Sequence, residues 1–297
     1  MTHEEPAPTS GLFALQVGVS HQDLHMEDRT LVSCGMRLFG VFDGVSSGGG
    51  GAQVATLAVD AVQEWVGRRA TPPTRVRQAQ ELLAGALGRA NEAIADYNER
   101  AGGGAHTSAT TAALVLIFQP LRLVQPALVA VAATVGDSRV QLWRDGTFHT
   151  LTLDHSYLAS SDPQQAKTQQ DRLDDALSLD DLPDPLDRAA FTHRNLIASA
   201  LDGSGPPDAR FYAFRLVAGD RLLVDSDGVH DNLNRSDLAG LVAEHKDAQQ
   251  TAEAVIEAAW DVSQRNPGEA PRAKPDDMSV IVVDVPDPGS GSGTGRS

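Results

Sequence analysis

The sequence predicts an α+β fold, a four-layer α-β-β-α sandwich of two antiparallel sheets flanked by helices. Short apolar strands come in two groups along the chain, and each group is followed by a pair of amphipathic helices. The stretch 37–43 is apolar on both of its faces. Leu38 and Phe42 share one face, and Phe39 and Val41 share the other. A strand covered on both sides lies between layers, so we expect it to be the central strand of one sheet.

In the first part of the chain, three apolar stretches of strand length are spaced as antiparallel neighbours, at 12–20, 28–34 and 37–43. A loop rich in serine and glycine follows at 45–51, and it lacks the lysine of a phosphate-binding loop. The apolar period then changes to that of amphipathic helices, at 52–67 and 75–100.

Strand patterns return at 111–118, 128–135, 139–143 and 148–153, with a hairpin turn predicted at Asp145-Gly146. The polar, acidic stretch 156–190 predicts a mobile, irregular surface flap. A short strand or turn is expected at 193–201. The remaining elements are strands at 211–216 and 221–227, a helix from an N-cap at Ser236 to about 245, a helix from about 252 to 266, and a strand at 278–285.

We expect one domain over 11–285, preceded by a disordered leader at 1–10 and followed by a disordered Gly/Ser-rich tail at 286–297. The formal net charge of -16 argues against nucleic acid or an anionic membrane as a partner. The single cysteine, Cys34, excludes an intrachain disulfide. Since no secretory signal or membrane-length apolar run is found, we expect a soluble, cytoplasmic protein.

Acidic residues recur where strands end. Asp43 follows one apolar strand and Asp227 another, and each precedes a glycine. A carboxylate beside apolar packing needs a partner, which is often a metal ion. Taken alone, each Asp-Gly is more often a turn, but the repeated pattern favours a site. A set of dispersed carboxylates without cysteines suits Mg²⁺ or Mn²⁺ rather than structural zinc. The further candidates are Glu27, Asp28, Asp137, Asp231, Asp276 and Asp277.

Eight stretches of the sequence carry a family resemblance. They are Met26-Glu-Asp28, Phe39-Gly-Val-Phe-Asp-Gly44, Ser108-Ala-Thr-Thr-Ala112, Val135-Gly-Asp-Ser-Arg139, Leu151-Thr-Leu-Asp-His155, His193-Arg-Asn195, Ser226-Asp-Gly-Val-His-Asp231 and Asp276-Asp-Met-Ser-Val-Ile-Val-Val283. In this order they resemble the motifs of the metal-dependent protein phosphatases, the PPM or PP2C type, over roughly residues 12 to 285. The fold of that family is the layered sandwich that the apolar pattern predicts.

The resemblance implies a site for two divalent ions, Mg²⁺ or Mn²⁺. In that site Asp43 would bridge the two ions and act in catalysis, and the carbonyl of Gly44 would bind one of them. Asp227 and Asp276 would hold the other ion. A water activated by the ions would then attack the phosphorus atom directly, without a phosphoenzyme.

The resemblance also assigns roles around this centre. Glu27 would reach a metal ion through water, and Asp28 would support the site, so both are candidate catalytic residues. Asp137 and Asp231 match positions associated with a third, weaker ion, although Asp137 could instead pair with Arg139.

The function implied by the resemblance is hydrolysis of phosphoserine and phosphothreonine in proteins. The chain is most similar to bacterial members, so phosphorylated proteins and a Ser/Thr kinase that it opposes are the expected partners. Two alternatives stay open. One is a pseudophosphatase that binds a phosphoprotein or a regulator without turnover, and the other is a hydrolase of small phosphate esters.

Three positions depart from the family pattern. Asp23 stands where an arginine usually binds the substrate phosphate, and an acid there would repel phosphate. Val45 stands where some members carry a histidine after Asp-Gly. Asp225, two residues before Asp227, either adds a ligand or is held by a neighbouring side chain. Of the nearby histidines, His155 and His193 favour structural roles over catalytic ones.

Overall fold

Two antiparallel five-stranded sheets form the centre of the molecule. The computed structural model describes residues 15–25, 27–46, 49–68, 71–102, 107–121 and 127–285. The first sheet has, in spatial order, β1 (Gln16–Gln22), β12 (Met278–Asp284), β11 (Arg221–Asp225), β8 (Arg139–Arg144) and β9 (Thr147–Thr150). The second sheet has β10 (Arg210–Leu216), β7 (Leu128–Val135), β6 (Ala112–Phe118), β3 (Leu38–Phe42) and β2 (Arg29–Ser33).

Helices cover the outer face of each sheet. The helices in the described part of the chain are α1 (Gly51–Gly67), α2 (Val76–Arg100), α3 (Pro163–Asp175), α4 (Pro185–Thr192), α5 (Asp227–His230), α6 (Arg235–Glu244) and α7 (Ala248–Ser263). One apolar cluster joins α1 and α2 to the second sheet, and another joins α5, α6 and α7 to the first. No helix among the described residues is long and apolar enough to span a membrane.

A third apolar cluster lies between the sheets. Phe39 and Val41 of the second sheet pack there against Val224 and Ile281 of the first. Because the sheets meet face to face and helices cover both outer faces, the four-layer α-β-β-α sandwich predicted from the sequence is confirmed.

Strand β3 is buried along its whole length, as its apolar pattern predicts. Leu38 and Phe42 face α1 and α2, whereas Phe39 and Val41 face the other sheet. The prediction that it is the central strand is wrong, because β3 lies between β6 and the edge strand β2. Burial on both faces reports the layers above and below a strand and says nothing about its place within the sheet.

The predicted loop 45–51 begins with a short strand, β4 (Gly44–Ser46), which pairs with β5 (Ser108–Thr110). Strand β4 of this two-stranded sheet begins at Gly44, two residues after β3 ends at Phe42. Three residues are too few for an alternating pattern to be visible, so the sequence gives no sign of β4.

The stretch 156–190 is helical, and the prediction that it is irregular is wrong. It contains α3, a 3-10 turn at Leu179–Asp181 and α4. The side chains of Asp162 and Asp184 cap α3 and α4, and each cap is followed by a proline that begins the helix. Aspartate and proline favour loops by composition, but in this order they start helices.

Two helix starts also differ from the prediction. Helix α6 is capped by Asn234 rather than Ser236, because the Asn234 side chain accepts hydrogen bonds from the amides of Ser236 and Asp237. Helix α7 begins at Ala248 after an Asp247 cap, four residues before the predicted start. The predicted leader at 1–10 and tail at 286–297 lie outside the described residues.

Candidate metal centre

Asp43 follows the last residue of β3, and its backbone is fixed on both sides. Its amide donates to Thr111 Oγ1 at 3.0 Å. Its carbonyl oxygen accepts from the Thr111 amide at 2.8 Å and from Thr110 Oγ1 at 2.9 Å. These bonds hold the main chain of Asp43 in a defined position at the strand tip.

Gly44 and Gly51 bring the tip of β3 against the start of α1. A Cβ atom on Gly44 would lie 2.5 Å from the carbonyl oxygen of Gly51. A Cβ atom on Gly51 would lie 2.6 Å from Oε1 of Glu27. Only glycine permits this approach at either position. The Glu27 carboxylate therefore lies beside the first turn of α1 and close to the Asp43-Gly44 backbone.

Asp28 lies beneath Glu27 and is buried. Its Oδ2 accepts a hydrogen bond from Ser226 Oγ at 2.6 Å, and the same hydroxyl oxygen accepts from the Ser279 amide at 3.0 Å. Burial, together with the charges of Asp227 and Asp277, raises the pKa of Asp28 to about 7. Asp28, which directly precedes β2, is thus linked to Ser226 just after β11. Through the Ser226 hydroxyl it is also linked to Ser279 near the start of β12.

Asp277 holds the loop that carries Glu27. Its carboxylate accepts hydrogen bonds from the backbone amides of Leu24, of His25 at 2.5 Å and of Glu27 at 2.6 Å. The neighbouring Asp276 accepts from the Asp277 amide at 3.0 Å through Oδ1. Asp277 therefore positions the backbone of Glu27. The second carboxylate oxygen of Asp276, Oδ2, takes no part in the hydrogen bond to Asp277.

Asp227 is the first residue of α5, not the last residue of a strand. Strand β11 ends at Asp225, so the predicted strand 221–227 is two residues too long. Asp225 accepts from His230 Nδ1 at 2.7 Å and from Gln141 Nε2 at 2.9 Å. Of the two roles left open for Asp225, the structure shows that neighbouring side chains hold it.

Lys274 was missed by the sequence-based reasoning, yet its ammonium group is where the acidic side chains meet. Nζ contacts Asp227 Oδ2, and it lies 2.8 Å from Asp231 Oδ2 and 3.3 Å from Asp276 Oδ2. Burial alone would raise the pKa of Asp231, but Lys274 and Arg194 outweigh burial and lower it. The only sequence signal for this contact is a lysine two residues before a candidate ligand.

The rest of the site is short of positive charge. Burial raises the pKa of Asp43 well above its usual value, and the charges of Asp227, Asp28 and Asp137 add to this effect. Burial also raises the pKa of Asp137 well above the usual range and that of Asp276 to about 6. These carboxyl groups lie close enough together to resist ionisation as a set.

Two buried carboxylate oxygens have no hydrogen-bond partner among the described residues, Asp28 Oδ1 and Asp227 Oδ1. Unpaired buried carboxylate oxygens within an all-oxygen donor set fit a hard divalent cation such as Mg²⁺ or Mn²⁺. As the side chains stand, no group of three or more His, Cys, Asp or Glu in the described part of the chain is arranged to hold an ion. The donors thus have the right chemistry, but they are gathered around the Lys274 ammonium group.

Asp137 does not pair with Arg139. The Arg139 guanidinium instead binds Asp154 at 2.6 Å and, through Nη1, Asp174 of α3 at 2.9 Å. Arg272 adds a second link to this region, since its guanidinium donates to the carbonyls of Ala176 at 2.8 Å and His230 at 2.6 Å. The flap helices are therefore fastened to the rim of the acidic site.

Two of the three positions that depart from the family pattern, Asp23 and Val45, lie at the surface. Asp23 is exposed, and its Oδ2 lies 4.0 Å from His21 Nε2. Val45 is also exposed. His193 is exposed after α4, whereas His155 is buried with Nδ1 2.9 Å from the Gly136 amide. No hydrogen bond or ion pair among the described residues joins either histidine to Asp43, Asp227 or Asp276.

A family model described as protein phosphatase 2C matches residues 11–260 of the chain. No curated protein matches the sequence significantly.

Several solved structures share the fold. Stp1 from Staphylococcus aureus, a serine/threonine phosphatase, is 20% identical with a TM-score of 0.68, over 96% of this chain and 100% of that one. The catalytic domain of the serine/threonine phosphatase PstP, in complex with two manganese ions, is 22% identical with a TM-score of 0.65, over 93% and 100%. PppA, a regulatory component of T6SS in Pseudomonas aeruginosa, is 18% identical with a TM-score of 0.65, over 91% and 97%.

Proposed function

Because the chain belongs to the protein phosphatase 2C family, we propose that it is a metal-dependent phosphatase that hydrolyses phosphoserine and phosphothreonine in proteins. The observation that carries this proposal is that Asp43, Asp227 and Asp276, which flank three separate strands, lie close enough for their charges to raise the pKa of Asp43, while Asp227 Oδ1 is buried and has no hydrogen-bond partner among the described residues. The catalytic domain of PstP, which shares the fold, was solved in complex with two manganese ions.

The residues that would hold two ions are Asp43, the Gly44 carbonyl, Asp227 and Asp276, with Glu27 acting through water. Asp137 and Asp231 are the candidates for a third ion. Bound Mg²⁺ or Mn²⁺ would supply an activated water and positive charge for the phosphate.

The chain's own contribution is to position these groups. Thr110 and Thr111 fix the backbone of Asp43, and Asp277 fixes that of Glu27. The Asp28 carboxylate, through Ser226, ties the loop of Glu27 to the start of α5. Positioning by buried hydrogen bonds keeps the reacting groups aligned before substrate arrives.

Hydrolysis of p-nitrophenyl phosphate and of phosphoserine peptides, with and without Mn²⁺, tests the proposal. We expect Mn²⁺-dependent turnover of both substrates and its loss in Asp43→Asn. Absence of turnover at every Mn²⁺ or Mg²⁺ concentration, in protein shown to be folded, would overturn the proposal. Turnover of small phosphate esters but not of phosphopeptides would instead favour a small-molecule phosphatase.

Two observations favour a second candidate, a pseudophosphatase that binds phosphoproteins without hydrolysing them. Asp23 stands where the family resemblance implies a phosphate-binding arginine, and Lys274 contacts Asp227, Asp231 and Asp276. This candidate predicts that a phosphopeptide binds measurably while its phosphate is never released. Release of phosphate at a rate that depends on Mn²⁺ excludes it.

A further inference from the structure

Lys274 is held in place by its backbone as well as by its charge. Its amide donates to Asn232 Oδ1 at 2.8 Å, and its carbonyl accepts from Asn232 Nδ2 at 2.8 Å. Asn232 is itself buried and also donates to the Gly228 carbonyl at 2.8 Å. This pair of bonds fixes the start of the Lys274 side chain above α5, so the ammonium group reaches the acidic site from a rigid support.

The ammonium group and a divalent ion would use the same ligands. Lys274 Nζ is bound by Oδ2 of both Asp227 and Asp276. These are the two residues proposed to hold one of the metal ions. A divalent ion and an ammonium group a few ångströms apart repel each other, so they do not share these carboxylates favourably. Asp227 Oδ1 keeps no hydrogen-bond partner in the described residues, so the site still offers an oxygen to an incoming cation.

We propose that Lys274 is a displaceable internal cation of this centre. In the metal-free protein its ammonium group neutralises Asp227, Asp231 and Asp276. Mg²⁺ or Mn²⁺ binds at Asp227 and Asp276 only when the ammonium group leaves them. The inference rests on the proposed metal site but not on the phosphatase reaction. It accounts for the three carboxylates gathered around one ammonium group.

Calorimetric titration with Mn²⁺ tests the competition without any activity measurement. Lys274→Met removes the competing charge, and we expect it to bind Mn²⁺ at least about fivefold more tightly than the wild type, the lower end of typical coupling between exclusive ligands. Without metal, the same variant should melt at a lower temperature, because three carboxylates lose their cation. Lys167→Met is the matched control, since Lys167 pairs with Asp171 on exposed α3.

A second measurement uses the unaltered chain and does not depend on the variant folding. The chain has three lysines, Lys167, Lys246 and Lys274. Acetylation with a water-soluble acetylating reagent, followed by mass spectrometry, reports the reaction rate of each. Lys274 should react slowly in metal-free protein and several-fold faster in saturating Mn²⁺, while the other two lysines serve as internal references.

The outcomes separate this inference from the proposed function. Tighter Mn²⁺ binding by Lys274→Met, or Mn²⁺-dependent exposure of Lys274, supports the displacement. Equal Mn²⁺ affinity in the two proteins, together with an unchanged Lys274 reaction rate, overturns the displacement and leaves the metal site standing. Failure of both proteins to bind Mn²⁺ overturns the displacement and the metal-dependent function together.

Discussion

Asp277 accepts a hydrogen bond from the backbone amide of Glu27 at 2.6 Å, across a separation of 250 residues. The same carboxylate binds the amides of Leu24 and His25. One buried side chain at the start of β12 therefore sets the conformation of the loop that brings Glu27 and Asp28 to the acidic site.

Asp277→Ala should loosen this loop. Three amides lose a charged acceptor, and charge-assisted hydrogen bonds contribute roughly 1.5–3 kcal/mol each. Because Leu24 and His25 are exposed and their amides regain water, we expect less than the sum, a loss of about 2–4 kcal/mol in the free energy of unfolding. Urea unfolding measures the loss, and hydrogen exchange should show faster exchange at Leu24, His25 and Glu27. Asp237→Ala, which removes a capping contact of α6 away from this loop, is the control. Unchanged exchange at the three amides would contradict the assigned role.

Asp43→Asn should separate stability from function. Because neighbouring acids and burial raise the pKa of Asp43, a neutral amide relieves repulsion, and metal-free stability should stay the same or rise by up to about 2 kcal/mol. Phosphatase activity should fall at least about 100-fold, as is typical when a group that stabilises the transition state is lost. Thermal melting without metal and turnover with Mn²⁺ measure the two effects. Wild-type turnover in the variant would place the reaction elsewhere.

Asp23→Arg should improve phosphate binding. The exposed Asp23 carboxylate repels a phosphate group, and its replacement by a guanidinium reverses the sign of that interaction. We expect KM for a phosphopeptide to fall about threefold to tenfold with little change in kcat. The gain should shrink at high salt, because exposed charges are screened. Asp23→Asn isolates the effect of removing the acid, and an unchanged KM in both variants would mean that another residue binds the phosphate.

Arg272→Met should release the flap helices. The buried Arg272 guanidinium donates to four backbone carbonyls, so its loss leaves them unpaired, and we expect a destabilisation of about 3–5 kcal/mol. Limited proteolysis should then cut within 156–190 first. Arg265→Met is the matched control, since Arg265 is exposed. If the two variants are cut at equal rates, Arg272 does not fasten the flap.

His155 makes stability depend on pH. Burial lowers the pKa of His155 below 6.5, and Arg210 adds to this effect against the opposing charges of Asp208 and Asp154. A folded-state pKa below the unfolded value means that the unfolded chain binds more protons. The stabilisation is therefore complete above pH 6.5 and is lost as pH falls from there through the folded-state pKa, with a slope of up to about 1.4 kcal/mol per pH unit.

The measurement for His155 is urea unfolding between pH 7.5 and 5.5, for the wild type and for His155→Asn. The variant should be less stable at pH 7.5 and should show a shallower loss towards pH 5.5. Parallel curves for the two proteins would assign the pH dependence to other groups.

The layers could be predicted from the sequence because they depend on local periodicity. The alternating apolar residues that include Leu38 and Phe39 predict that both faces of β3 are buried. Candidate acids could be singled out because two of them, Asp43 and Asp227, follow apolar strands in the same Asp-Gly pattern. Contacts between distant side chains follow no period. The reach of Lys274 to Asp227, 47 residues away, depends on how α5 and the start of β12 pack, and no local pattern encodes that.

The flap illustrates the same limit. Composition predicts a solvated loop at 156–190, because aspartate is usually exposed. In the structure Asp174 and Asp187 are buried and paired with Arg139 and Arg172. An aspartate that caps a helix, an aspartate in a buried ion pair and an aspartate in water look alike in a sequence, and only the position of the partner distinguishes them.

The place of β12 within its sheet has a consequence for synthesis on the ribosome. Strand β12 lies between β1 and β11 and pairs with both, so these two strands are joined in the sheet only through β12. The second sheet needs only residues up to Leu216, whereas the first waits for Met278–Asp284. A growing chain therefore carries Glu27 and Asp43 long before Asp276 and Asp277 exist to complete their surroundings. The acidic centre is therefore assembled only after Asp276 and Asp277 have been translated, and chains terminated before them lack it.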